Sequence, residues 1–103
     1  MSYSVLRTYT ADEQIREAVL YTAQVSGGEG PALKLLDLID EAAERLSSFP
    51  RIGSVPAWGT LAKRGYRKLA VGHYIMLYKV DDGAQAVTIH AFVHSRQEYW
   101  KVV

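Results

Sequence analysis

Three β-rich runs follow one another with almost no spacer: YRKLAV at 66–71, HYIMLYKV at 73–80 and QAVTIHAFV at 85–93. β-Branched and aromatic residues dominate each run, and Gly72 and Asp81-Asp82-Gly83-Ala84 supply the turns between them. Strands joined by turns this short pair antiparallel, so the C-terminal half predicts a three-strand meander. The middle run is apolar on both parities, Tyr74, Met76, Tyr78 and Val80 against Ile75 and Leu77, as in a central strand covered on both sides. In the last run, Val87, Ile89, Ala91 and Val93 are expected to face a covering layer. Thr88, His90, Phe92 and His94 then form a mixed, partly open face.

The covering layer comes from the N-terminal half. Tyr3, Val5 and Arg7 alternate with Ser4, Leu6 and Thr8, which reads as a short first strand. Thr10-Ala-Asp-Glu13 has capping-box spacing, placing a helix start at Thr10. Ile15, Ala18, Val19, Thr22 and Val25 then share one helical face until Ser26-Gly27-Gly28 ends it. A second helix is expected from about Pro31, with Ala32, Leu35, Leu36, Ile39, Ala42, Ala43 and Leu46 inward, and Phe49-Pro50 as its stop. Residues 50–64, PRIGSVPAWGTLAKR, show no period and predict a long surface connection. The expected fold is α+β in the order β-α-α-β-β-β, an antiparallel sheet packed on one face by an N-terminal helical hairpin, as one domain over 1–103.

At 103 residues and 49% hydrophobic content, one core is the natural solution and disorder is disfavoured. The chain has no cysteine, so neither disulfides nor thiolate metal ligands enter, and no metal or cofactor is expected. No apolar run approaches the roughly 20 residues that span a bilayer, and the first residues lack an export-signal pattern. A cytoplasmic address without membrane contact is the expectation. The charge of +1 conceals an asymmetry: residues 1–50 carry four Lys/Arg against eight Asp/Glu, whereas residues 51–103 carry eight against three. A basic half of this kind supplies a footprint for phosphate.

FPRIG at 49–53, YRKLAVGHYIMLYKVDD at 66–82 and VTIHAFVHSRQEY at 87–99 together resemble the RelE/ParE superfamily of toxins from type II toxin-antitoxin modules. The resemblance implies a bacterial growth inhibitor bound by a cognate antitoxin in a heteromeric complex. It also implies one of two targets. RelE-like members work on the ribosome and cut mRNA, inhibiting translation; ParE-like members poison DNA gyrase and carry no nuclease activity. A toxin-like binding module that keeps only the antitoxin contact is a third alternative.

Metal-independent RNA cleavage needs a base for the 2′-hydroxyl, cations for the phosphate and an acid for the leaving oxygen. If the chain is an mRNA endoribonuclease, Arg67, Arg96, His94 and Tyr99 are the expected catalytic residues, with Lys63, Arg64 and Lys68 binding RNA phosphate. His73 and His90, as imidazoles, and the carboxylate of Glu98 are additional candidate proton carriers in that reading. In the RelE-like pattern an arginine ends the second strand, another follows the last strand and a tyrosine lies in the tail. Arg96 matches the second arginine. Ala70 and Val71 occupy the place of the first, leaving Arg67 as a nearby substitute, and Tyr99 follows Arg96 more closely than the pattern's tyrosine does.

Overall fold

The computed structural model describes residues 2–25, 28–57 and 59–97. In chain order the elements are β1 (Ser4–Arg7), α1 (Tyr9–Val25), α2 (Glu29–Ser48), α3 (Gly59–Lys63), β2 (Arg67–Val71), β3 (Tyr74–Asp81) and β4 (Ala86–His94). Helix α1 starts before the expected capping box. Its cap is Thr8, whose Oγ1 accepts the Ala11 amide at 3.1 Å. The Thr8 amide in turn donates to the Ile89 carbonyl at 3.0 Å, so the exit of β1 fixes the cap and overrides the local Thr10 signal. Asp12 in the first turn pairs with Arg7 at 3.3 Å, and its negative charge suits the positive end of the helix.

The inward faces follow the expected periodicity. Ala11, Ile15 and Ala18 of α1 and Ala32, Leu35, Ile39, Ala42 and Leu46 of α2 are buried. All of these but Ala32 join Met76, Tyr78, Val87 and Ile89 in the main core between the helical pair and the sheet. Leu36 and Val25, counted on the same stripes, remain exposed. Helix α2 begins at Glu29, which places Pro31 in the first turn, where its missing N–H costs no helical hydrogen bond.

The sheet order is β1-β4-β3-β2. β2, β3 and β4 form the antiparallel meander, with Arg67 opposite Tyr78 and Val71 opposite Tyr74. β1 departs from the all-antiparallel expectation: it joins β4 in parallel, Val5 opposite Val87, which makes the sheet mixed. Strand alternation fixes which face a side chain takes and says nothing of strand direction.

A second departure matters more for the site. Leu77 pairs with Ala91 while its neighbour Tyr78 pairs with Ile89, so His90 is an extra residue, a β-bulge. The bulge swaps the faces of β4 beyond it. Phe92 packs with the helix-side core, whereas Ala91 and Val93, expected there, lie on the opposite face with Leu61, Tyr66 and Leu77. The expected open face is therefore partly covered. The cover comes from α3, which replaces part of the structureless connection and buries Leu61 to 2% exposure. Full burial of a leucine contributes about 2 kcal/mol.

Candidate functional site

Helix α3 ends in a Schellman turn. Gly65 takes φ +85° and donates to the Ala62 carbonyl, and the Tyr66 amide donates to the Leu61 carbonyl, both at 3.1 Å. The turn delivers Tyr66 onto the outer face of the sheet beside Leu61, where it is 4% exposed. Three groups then surround its ring. Lys79 Nζ lies 4.5 Å from the ring centroid, the Arg64 guanidinium carbon 5.3 Å, and the His90 ring meets it edge-on at 5.4 Å. Burial, and then the charges of Lys79 and Arg64, push the His90 pKa below its ordinary value, which keeps the imidazole neutral at neutral pH. Two cations and a neutral imidazole on one aromatic platform can receive an oxyanion.

Arg67 belongs elsewhere. Its parity on β2 is that of Leu69 and Val71, the helix side, and its Nη1 donates to the Gly53 carbonyl at 2.8 Å and the Arg51 carbonyl at 3.4 Å. The same segment is held by Tyr78, whose hydroxyl accepts the Gly53 amide at 2.9 Å, and by a two-way backbone bridge between Ser54 and Lys68. Burial raises the Tyr78 pKa, offset in part by the Gly53 amide and by Arg67 and Arg51. Arg51 makes a bidentate bond to Asp82 at 2.6 and 3.1 Å, and Tyr3 donates to that carboxylate at 2.8 Å. The Arg51 hydrogen bond, then that of Tyr3, lowers the Asp82 pKa.

The histidines of the strand ends form a third group. His73 follows Gly72, which takes φ +60° in a two-residue hairpin turn. Its ring stacks on His94 at 6.4 Å, and Tyr74 meets His94 edge-on at 5.5 Å and stacks on Phe92 at 4.9 Å. His94 Nδ1 accepts the Arg96 amide at 3.2 Å. An open cleft of 490 Å³ lies beside them, lined by Gln14, Glu17, Tyr21 and Phe92 among others.

The expected residues thus separate. Arg64 and His90 meet on the outer face; His94, His73 and Arg96 gather at the exit of β4; Arg67 is tied to the 51–53 segment. Arg67 lies four residues along β2 from Val71, which is level with Tyr74 and His94. That separation is about 13 Å along the strands at roughly 3.3 Å per residue. Lys63 closes α3 and is exposed, and Lys68 sits in β2 opposite Leu77. Tyr99 and Glu98 lie outside the described residues. Lys79 and Tyr66 were not singled out as functional by the sequence; the signal was their position, since the register that sets Arg67 opposite Tyr78 makes them cross-strand neighbours. Among the described residues there is no group of three or more His, Cys, Asp or Glu side chains that could hold a metal ion.

Comparison with known proteins agrees with this fold. The family described as the ParE toxin of type II toxin-antitoxin systems, parDE, matches residues 5–99. The chain belongs to this family. Among solved structures, the toxin is similar to a chain of the RelBE2 toxin-antitoxin complex from Mycobacterium tuberculosis. The two share 26% identity at a TM-score of 0.67, over 91% of this chain and 99% of the other. It also shares its fold with a chain of the chromosomal ParDE system of P. aeruginosa, at 18% identity and a TM-score of 0.69, over 90% of this chain and 96% of that one. A YoeB/ParE toxin from Agrobacterium tumefaciens has the same fold, at 14% identity and a TM-score of 0.62, with 88% and 96% covered. No curated protein sequence matches significantly. No helix among the described residues is long and apolar enough to cross a membrane.

Proposed function

We propose that this toxin is restrained by a cognate antitoxin and arrests growth in the ParE-like manner, by poisoning DNA gyrase, without cutting RNA. The antitoxin partner is supported by the family and by its relatives, which include chains of RelBE2 and ParDE toxin-antitoxin systems. One observation carries the choice of mechanism: of the expected catalytic residues that are described, Arg67 does not converge with His94 and Arg96. General base, phosphate-holding cation and general acid must reach one phosphodiester within hydrogen-bond range, directly or through a water. Arg67 instead serves two backbone carbonyls at one end of the sheet, and His94 and Arg96 stand at the other.

The test is induction of the toxin without antitoxin, with transcripts, protein synthesis and chromosomal DNA followed separately. Intact transcripts with double-strand breaks that require gyrase are expected. Cut transcripts and arrested translation over unbroken DNA would replace this reading with ribosome-dependent cleavage, and unimpeded growth would leave only the antitoxin-binding role.

A further inference from the structure

We infer that Arg64 and Lys79, with the Tyr66 ring beneath them, form a binding site for the phosphodiester backbone of a nucleic acid on the outer face of the sheet. Tyr66 is the positioning residue. Its hydroxyphenyl ring is wedged beside Leu61, Leu77 and Ala91, so the ring is fixed and the two flexible cations are gathered over it, Nζ at 4.5 Å and the guanidinium carbon at 5.3 Å. Like charges collected around one ring repel each other, and the ring's quadrupole offsets only part of that. Among the described residues neither has a carboxylate partner: the ion pairs there are those of Arg7, Arg16 and Arg51. Asp81, two residues beyond Lys79 on the same strand, accepts the Ala84 amide of the hairpin turn.

The neutral groups fit the same ligand. Thr88 is the partner of Lys79 in the β3–β4 register and brings a hydroxyl to that row. His90 bulges out of β4 beside Tyr66, and because burial and both cations favour its neutral form, it offers an N–H and an acceptor in place of a third charge. A tetrahedral oxyanion with several acceptor oxygens uses two cations, a hydroxyl and an imidazole N–H together; a planar carboxylate uses fewer. Arg64 is exposed and Lys63 lies one residue before it, so the patch is open and continues along α3. An open site of this kind holds a single phosphate weakly. A polymer of phosphates gains from release of its condensed counterions. The inference does not depend on gyrase being the target.

The experiment is fluorescence anisotropy of the full chain with a short labelled single-stranded DNA, and with RNA of the same sequence, across a salt series. Inorganic phosphate and a glutamate-rich peptide of equal charge serve as competitors. The Arg64→Gln/Lys79→Gln double variant is expected to bind at least about tenfold more weakly at low salt, with the log–log salt slope shallower by about 1.4, near 0.7 for each lost phosphate contact on a single strand. Tyr66→Leu should weaken binding and Tyr66→Phe should restore it, because the ring and not the hydroxyl holds the cations. Unchanged affinity in the double variant, with an unchanged melting temperature, overturns the site. Displacement by inorganic phosphate at equal phosphate concentration makes it a site for the free ion, and displacement by the glutamate peptide makes it a carboxylate site; either result refutes the nucleic-acid assignment.

Discussion

Arg67 and Lys79 sit close across the β2–β3 pair, yet the fold uses one and leaves the other available. Arg67 turns toward the helix side and gives its guanidinium to the carbonyls of Gly53 and Arg51. Lys79 turns outward onto the face of the Tyr66 ring, in company with Arg64. Arg67 satisfies the partly buried Gly53 carbonyl and so steadies the 51–53 segment; the outer pair adds charge that the fold itself does not require. Parity along a strand, more than spacing in the sequence, sorts a structural cation from one that faces a ligand.

The largest effect should come from the pinned region. A Cβ built at Gly53 would lie 2.5 Å from the Lys68 carbonyl oxygen and 2.6 Å from the Tyr78 hydroxyl, a contact with backbone that cannot move cheaply. Gly53→Ala is expected to cost about 3 kcal/mol, the upper range for overpacking, and to lower the melting temperature by more than about 10 °C. A melting temperature within a degree of wild type would show that the segment is not held as described. Arg67→Gln removes a charged donor from the partly buried Gly53 carbonyl, at a cost of about 1–2 kcal/mol in denaturant unfolding.

The outer region should respond to pH instead. His90 has a lowered pKa in the fold, so the unfolded chain takes up the proton first as pH falls below about 6.5. Stability is full above that value and declines toward the lower folded pKa; His90→Gln should flatten this limb of a melting-temperature profile between pH 7.5 and 5.5. Asp82 gives a separate limb at lower pH. Its pKa is depressed by Arg51 and then Tyr3, so its contribution is present above the unfolded carboxylate value near 4 and is lost below it, and Arg51→Gln should reduce that acid sensitivity. The smallest effect on stability is expected from Arg64→Gln/Lys79→Gln, within about 0.5 kcal/mol.

Much of the fold was legible because its signals are local and repeated. The Ala and Leu spacing of α2, the stripe of α1 and the Asp81-Asp82-Gly83-Ala84 turn each declare themselves within one element. The elements that were missed depend on distant partners. Thr8 caps α1 because β4 holds its amide, and α3 exists because Leu61 and Tyr66 find the outer sheet face. The bulge was invisible since Val87, Ile89, Ala91 and Val93 alternate without a break; only the pairing with β3 reveals that His90 is extra. The site suffered most from that bulge, which determines what His90, Ala91 and Phe92 face. Arg64 and His90 both read as chemistry-bearing residues, but nothing in their sequence positions says that one ring gathers them with Lys79.

The division between the two sets of cations is tested most directly by measuring melting temperature and oligonucleotide affinity side by side for Arg67→Gln and for Arg64→Gln/Lys79→Gln. The expected result is a crossover: Arg67→Gln melts lower and binds as wild type does, while the double variant melts as wild type does and binds at least about tenfold more weakly. An Arg67→Gln protein that keeps its melting temperature and loses binding, beside a double variant that keeps its affinity, would contradict the account.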